Sequence, residues 1–231
     1  LKRIGLIGGM SWESSTTYYQ AINREIRRRL GGLHSAECIL FSLDFHEIES
    51  YQTSGEWGKA AAKLVTAARY LESAGADFII LCTNTMHRCA EEISSSIAIP
   101  FLHIAEATAD SILEKGLKKV ALLGTSYTME QTFYTSVLKD KRLHVMVPDE
   151  LERKTLNDII FKELCVGNIK EKSRVFLLEL ISKLNRDGAE GVILGCTEIG
   201  LLLHEHDIDI PLFDTTIIHA TKAVELSLRK D

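Results

Sequence analysis

Short apolar runs alternate with longer amphipathic stretches from the start of the chain. Residues 3–7 form one such run and feed the glycine turn Gly8-Gly9. Residues 16–30 carry apolar positions at helical spacing, and 38–42 form a second strand-like run. A helix is predicted over 59–74, stopped by Gly75, followed by an isoleucine-rich strand over 78–81. A helix over 86–95 comes next, and Pro100 introduces a strand over 101–104. This β-α-β-α rhythm predicts a parallel sheet covered by helices.

The second half repeats the pattern. A strand over 119–123 ends in Gly124-Thr125, as the first strand ends in Gly8-Gly9. Gly75-Ala76-Asp77-Phe78-Ile79-Ile80-Leu81 is echoed by Gly188-Ala189-Glu190-Gly191-Val192-Ile193-Leu194, and Ile99-Pro100-Phe101-Leu102 by Ile210-Pro211-Leu212-Phe213. Gly8 and Gly124 are 116 positions apart, Gly75 and Gly188 are 113, and Pro100 and Pro211 are 111. Three echoes in one order at nearly one offset predict a duplicated α/β protein with two pseudo-symmetric parallel-sheet halves. The boundaries drawn are 1–100 plus about 211–231 for the first half and 101–210 for the second.

Ligands of open α/β sheets bind beyond the carboxyl ends of the strands. The echoed strands end in Cys82-Thr83-Asn84-Thr85 and Gly195-Cys196-Thr197-Glu198. At the offset of 113, Thr83 pairs with Cys196, Asn84 with Thr197 and Thr85 with Glu198. Two facing halves would place these tetrads on opposite walls of one cleft. Inverting a carbon centre needs a base on one face and an acid on the other, and such a cleft supplies both. A thiol suits the work, since helix N-termini and nearby donors lower its pKa. Cys196 equally fits a buried structural thiol, and Thr83, Asn84, Thr85 and Thr197 equally fit helix caps. The glycine turns at Gly8-Gly9-Met10-Ser11 and Gly124-Thr125 are further strand ends at the expected mouth.

Composition narrows the classes. The net charge of −5 over 231 residues gives no global pull toward nucleic acid or anionic membrane. No stretch approaches the length of a membrane span. Five cysteines in no framework spacing, behind an N-terminal run too short for a signal peptide, lead us to expect reduced thiols in the cytoplasm. Neither G-x-G-x-x-G nor a P-loop is present, which argues against a nucleotide site. His204-Glu205-His206 invites a metal reading, but no third ligand stands nearby in the sequence.

The motifs Gly8-Gly9-Met10-Ser11-Trp12-Glu13-Ser14, Leu43-Asp44-Phe45, Asn84-Thr85, Leu123-Gly124-Thr125, Gly195-Cys196-Thr197-Glu198 and Asp214-Thr215 together resemble the pyridoxal-independent aspartate/glutamate racemase superfamily. The resemblance spans essentially the whole chain and is nearest to the L-aspartate/L-glutamate-specific racemases of enteric bacteria. It implies an amino-acid racemase without cofactor or metal, a small acidic amino acid as substrate, and a homodimer. Trp12, Tyr18 and Tyr19 are the aromatic residues offered as contact anchors. Cys196 stands at the second catalytic cysteine, which by resemblance works on the L enantiomer. The first motif departs from the family pattern, because Thr83 occupies the place of the first cysteine. Cys82 lies one residue earlier and, by strand alternation, is expected to face away.

Met10, Gln52, Asn84, Thr85, Thr125, Thr197, Glu198 and Lys162 are the candidate substrate-binding residues. A second substrate carboxylate needs a cation or several donors, which singles out Gln52 and Lys162, although Lys162 also fits a solvated helix face. Two other readings stay open: a single-thiol enzyme such as a decarboxylase, and an acidic-amino-acid-binding protein without turnover.

Overall fold

The computed structural model describes residues 1–203 and 207–229. The elements run β1 (Ile4–Gly8), α1 (Trp12–Leu30), β2 (Cys38–Ser42), α2 (Phe45–Thr53), α3 (Trp57–Ser73), β3 (Phe78–Leu81), α4 (Ala90–Ser94), β4 (Phe101–Leu102), α5 (Ile104–Glu114), β5 (Lys119–Gly124), α6 (Ser126–Glu130), α7 (Thr132–Asp140), β6 (His144–Met146), α8 (Glu150–Lys162), α9 (Glu171–Arg186), β7 (Gly191–Gly195), β8 (Leu212–Asp214) and α10 (Thr215–Leu228). Short 3-10 turns at Thr85–Cys89 and Thr197–Leu201 follow β3 and β7.

The chain forms two compact units, Leu1–Ile104 with His219–Asp231, and Ala105–Ile218. Each holds a four-stranded parallel sheet, ordered β2-β1-β3-β4 in the first and β6-β5-β7-β8 in the second. The identical order is the duplication expressed as topology. β1, β3 and β7 are buried along their whole length, as parallel strands covered on both faces must be. In the first unit Ile7, Ile79 and Leu81 pack with residues of α3, while Ile4, Leu6, Phe78, Ile80 and Cys82 pack with residues of α1 and α10. In the second, Ala121, Leu123, Val192, Leu194 and Cys196 pack with residues of α8 and α9.

The boundaries differ from those drawn on the sequence. β4 pairs with β3, Ile79 opposite Phe101, so it belongs to the first unit. β8 pairs with β7, Val192 opposite Leu212, so the segment expected to rejoin the first half completes the second sheet instead. The chain returns to the first unit only after Ile218. Helix α1 begins four residues earlier than predicted, because Ser11 caps it by accepting from the Ser14 amide at 3.3 Å.

The helix expected over 86–95 is broken into a 3-10 turn and the short α4. The cause is local. In an α-helix the Thr83 carbonyl would accept the His87 amide; here it lies 2.7 Å from His87 Nδ1. The His87 amide donates instead to the Asn84 carbonyl, one residue nearer, at 3.1 Å. A side chain has replaced a backbone donor and tightened the turn.

Candidate active site

The internal register of each sheet aligns the two units. Ile4 pairs with Phe78, and Val120 pairs with Gly191. Moving β1 onto β5 by 116 residues and β3 onto β7 by 113 therefore preserves the pairing. The next positions after the strands make Cys82 equivalent to Gly195 and Thr83 equivalent to Cys196. The side chains agree. Cys82 is fully buried in the α1 and α10 core, where burial pushes its thiol far up. Cys196 continues the opposite face, with Val192 and Leu194.

Thr83 sits in a tight bend, its amide donating to the Leu81 carbonyl at 2.9 Å. It is half-buried, while Asn84 and Thr85 behind it are buried. At the other strand end, the Cys196 thiol donates to Glu198 Oε2 at 3.0 Å, and the Thr197 hydroxyl donates to the same oxygen at 2.8 Å. The thiol is held well above its ordinary pKa, first by burial and then by the Glu198 carboxylate, as charge and as hydrogen-bond acceptor. The expectation of a lowered thiol pKa is thus reversed. The nearest polar group is a carboxylate, and burial outweighs the backbone contribution at the turn.

The other candidate residues are placed as follows. Met10 is buried after Gly9, whose φ of +91° and close approach to the Leu43 backbone leave no room for a side chain. Gln52 is buried on α2 and its amide donates to the Met86 sulfur at 2.8 Å. Thr125 caps α6, accepting from the Thr128 amide at 3.3 Å. Lys162 ends α8 with its side chain 70% exposed and its ammonium 2.9 Å from Asp158, one turn back. That is a solvated surface pair rather than the substrate cation anticipated, and it removes the reason for casting Lys162 in that role. Tyr18 is fully buried, so it is no surface anchor, whereas Trp12 and Tyr19 are exposed. His204-Glu205-His206 lies outside the described residues. Among the described residues, no three His, Cys, Asp or Glu side chains gather to hold a metal ion, and no helix is long and apolar enough to cross a membrane.

Sequence reasoning places His87 one helical turn after the first tetrad, able to tune the site electrostatics, but misses its packing with His103 and His219 beside Thr83. The His87 ring lies 4.7 Å from His103 and 5.8 Å from His219, centroid to centroid. His219 Nδ1 lies 2.9 Å from the Tyr18 hydroxyl, and its Nε2 lies 2.9 Å from the Leu102 carbonyl. A carbonyl only accepts, so Nε2 carries the hydrogen and Tyr18 donates to Nδ1. Burial pushes His103 and His219 down to about 4 and His87 well below the ordinary imidazole value. Each therefore binds a proton less readily folded than unfolded. For His103 and His219 the contribution to stability is complete above pH ~6.5 and is lost as pH falls toward ~4, up to ~3 kcal/mol each. Urea unfolding should show a clear drop in midpoint between about pH 7 and about pH 5. An unchanged midpoint would contradict neutral burial of the cluster.

The fold and the two strand ends define a class: a duplicated α/β protein with a hydroxyl and a thiol at equivalent strand termini. A family model described as Asp/Glu/Hydantoin racemase matches residues 7–223, and the chain belongs to that family. A candidate Asp/Glu racemase from Yersinia pestis is 50% identical, over 99% of this chain and 100% of that one, with a TM-score of 0.94. An aspartate racemase homologue from Pyrococcus horikoshii OT3 is 38% identical over the same shares, with a TM-score of 0.87. The broad specificity amino-acid racemase RacX of Bacillus subtilis (strain 168) is 29% identical over 165 residues, 71% of each chain. The chain is accordingly an amino-acid racemase, an isomerase.

Proposed function

We propose that the protein racemises acidic amino acids, taking L-aspartate or L-glutamate, without pyridoxal or any other cofactor. Cys196 is the thiol acid/base and Thr83 stands in the place of a second cysteine. The observation that carries the reading is the Cys196–Glu198 hydrogen bond at the register position equivalent to Thr83. The carboxylate that raises the thiol pKa is also placed to accept its proton. An incoming amino acid brings an α-ammonium, which offsets the Glu198 charge and removes part of that upward push. The thiolate then takes the α-proton of the L substrate. The Thr83 hydroxyl delivers a proton to the opposite face and regains one from water, and the proton Glu198 took from the thiol passes to the hydroxide left behind, which restores the Cys196 thiol and the Glu198 carboxylate.

Asn84, Thr85, Thr125 and Thr197 supply compact donors at helix and turn starts for the substrate carboxylates. Met10 packs beside the first glycine turn. Gln52 is the donor best suited to the side-chain carboxylate, because its buried amide meets the Met86 sulfur, a weaker acceptor than a carboxylate. The reading is tested in deuterated water with no added pyridoxal. L-aspartate or L-glutamate should lose its α-proton and L-alanine should keep it. Washout from neither acidic substrate would remove the proposal.

A further inference from the structure

We propose that His87 is the positioning residue for Thr83, a role that rests on the racemase reading above. The imidazole spans two backbone groups. Nδ1 lies 2.7 Å from the Thr83 carbonyl, and Nε2 accepts from the Ile104 amide at 3.1 Å. These partners fix the neutral form with the hydrogen on Nδ1, because one only accepts and the other only donates. His87 therefore clamps the bend after β3 to the first residue of α5, with its ring packed against Phe101, His103 and His219.

The second unit shows that the fold does not require this imidazole. At the offset of 113 the equivalent position is Gly200, and by strand register the equivalent of His103 is Asp214. Where the first unit packs His87 edge-on against His103, the second leaves a cavity of about 380 Å³ lined in part by Gly200 and Asp214. The tyrosine beneath is kept in both units: Tyr18 bonds His219 on α10, and Tyr134 bonds Thr108 on α5 at 3.4 Å. Among the described residues the turn bearing Cys196 holds no imidazole, with Gly200 at the position equivalent to His87, and the turn bearing Thr83 has one. The difference matches the chemistry. A thiol has a large sulfur and ionises more easily than a hydroxyl in the same surroundings, whereas a hydroxyl transfers a proton well only when its oxygen is accurately placed.

The test separates the two hydrogen bonds. His87→Asn keeps a donor near the Nδ1 position and loses the acceptor for Ile104. His87→Gln keeps an acceptor near the Nε2 position and loses the donor to Thr83. α-Proton washout from L-aspartate or L-glutamate reports Cys196, whereas net inversion also needs Thr83. In His87→Gln the ratio of inversion to washout should fall by ~10-fold or more, while His87→Asn should hold it within about threefold. Equal falls in both variants, or an unchanged ratio in His87→Gln, would overturn the proposal. Nitrogen NMR of the unmodified protein gives an answer that needs no variant. A hydrogen on Nδ1 of His87 is expected, and a hydrogen on Nε2 would equally overturn it. Absence of any washout in the unmodified protein would instead sink the racemase reading, leaving the NMR result to decide the clamp.

Discussion

Cys196→Ser is expected to abolish α-proton washout from L-aspartate and L-glutamate, by ~10³-fold or more, while the protein stays folded. The substitution changes one atom in a site that is already polar. Serine can still donate to Glu198, so the local hydrogen bond survives. What is lost is an ionisable group, because an alkoxide is far harder to form than a thiolate. Circular dichroism and the thermal midpoint should match the unmodified protein. Glu198→Gln should separate the two effects of the carboxylate. With the charge gone the thiol titrates lower and alkylates faster, yet washout slows because the proton acceptor is missing. Undiminished washout in folded Cys196→Ser would mean that the base lies elsewhere.

Thr83→Cys is expected to produce the largest gain. The bend at Thr83 has the same register position as Cys196, and the side chain is already half-buried. A thiol there supplies an ionisable group where the present hydroxyl is a poor base. Washout from the D enantiomers should rise by ~10² or more, the usual worth of a positioned general base. Washout from the L enantiomers should change little, since Cys196 is untouched. The same experiment on Cys82→Ser serves as the contrast. Cys82 lies in the α1 and α10 core, so its loss should affect packing rather than D-side chemistry. A Thr83→Cys protein with no gain on the D side would show that Thr83 does not face the reacting carbon.

The sheet interiors were legible in the sequence because parallel strands buried on both faces read as continuous apolar runs. The Gly75 and Gly188 echoes carried the duplication and made Thr83 the register equivalent of Cys196. The edge strands were less legible. β4 has two residues and β8 three, so their sheet is chosen by pairing rather than by any pattern of their own. The broken helix after Thr85 depends on a bond from the His87 ring to a carbonyl four residues back, which periodicity does not reveal. Tyr18 was within reach: Ser14, Tyr18, Ile22 and Ile26 recur every fourth residue, the spacing of a buried helix stripe. Glu198 stood among the candidate substrate-binding residues, but its reach back to the thiol two positions earlier belongs to the turn geometry.

The most direct measurement compares α-proton washout from the L and D enantiomers of aspartate and glutamate in the unmodified protein. Free L and D forms have equal free energies, so the kcat/KM values for net inversion in the two directions must be equal. Washout without inversion is under no such constraint and reports each face separately. The account predicts rapid washout from an L substrate at Cys196, much slower washout from its D partner, and inversion slower than L-side washout. Equal washout from L and D, or washout confined to D, would contradict it.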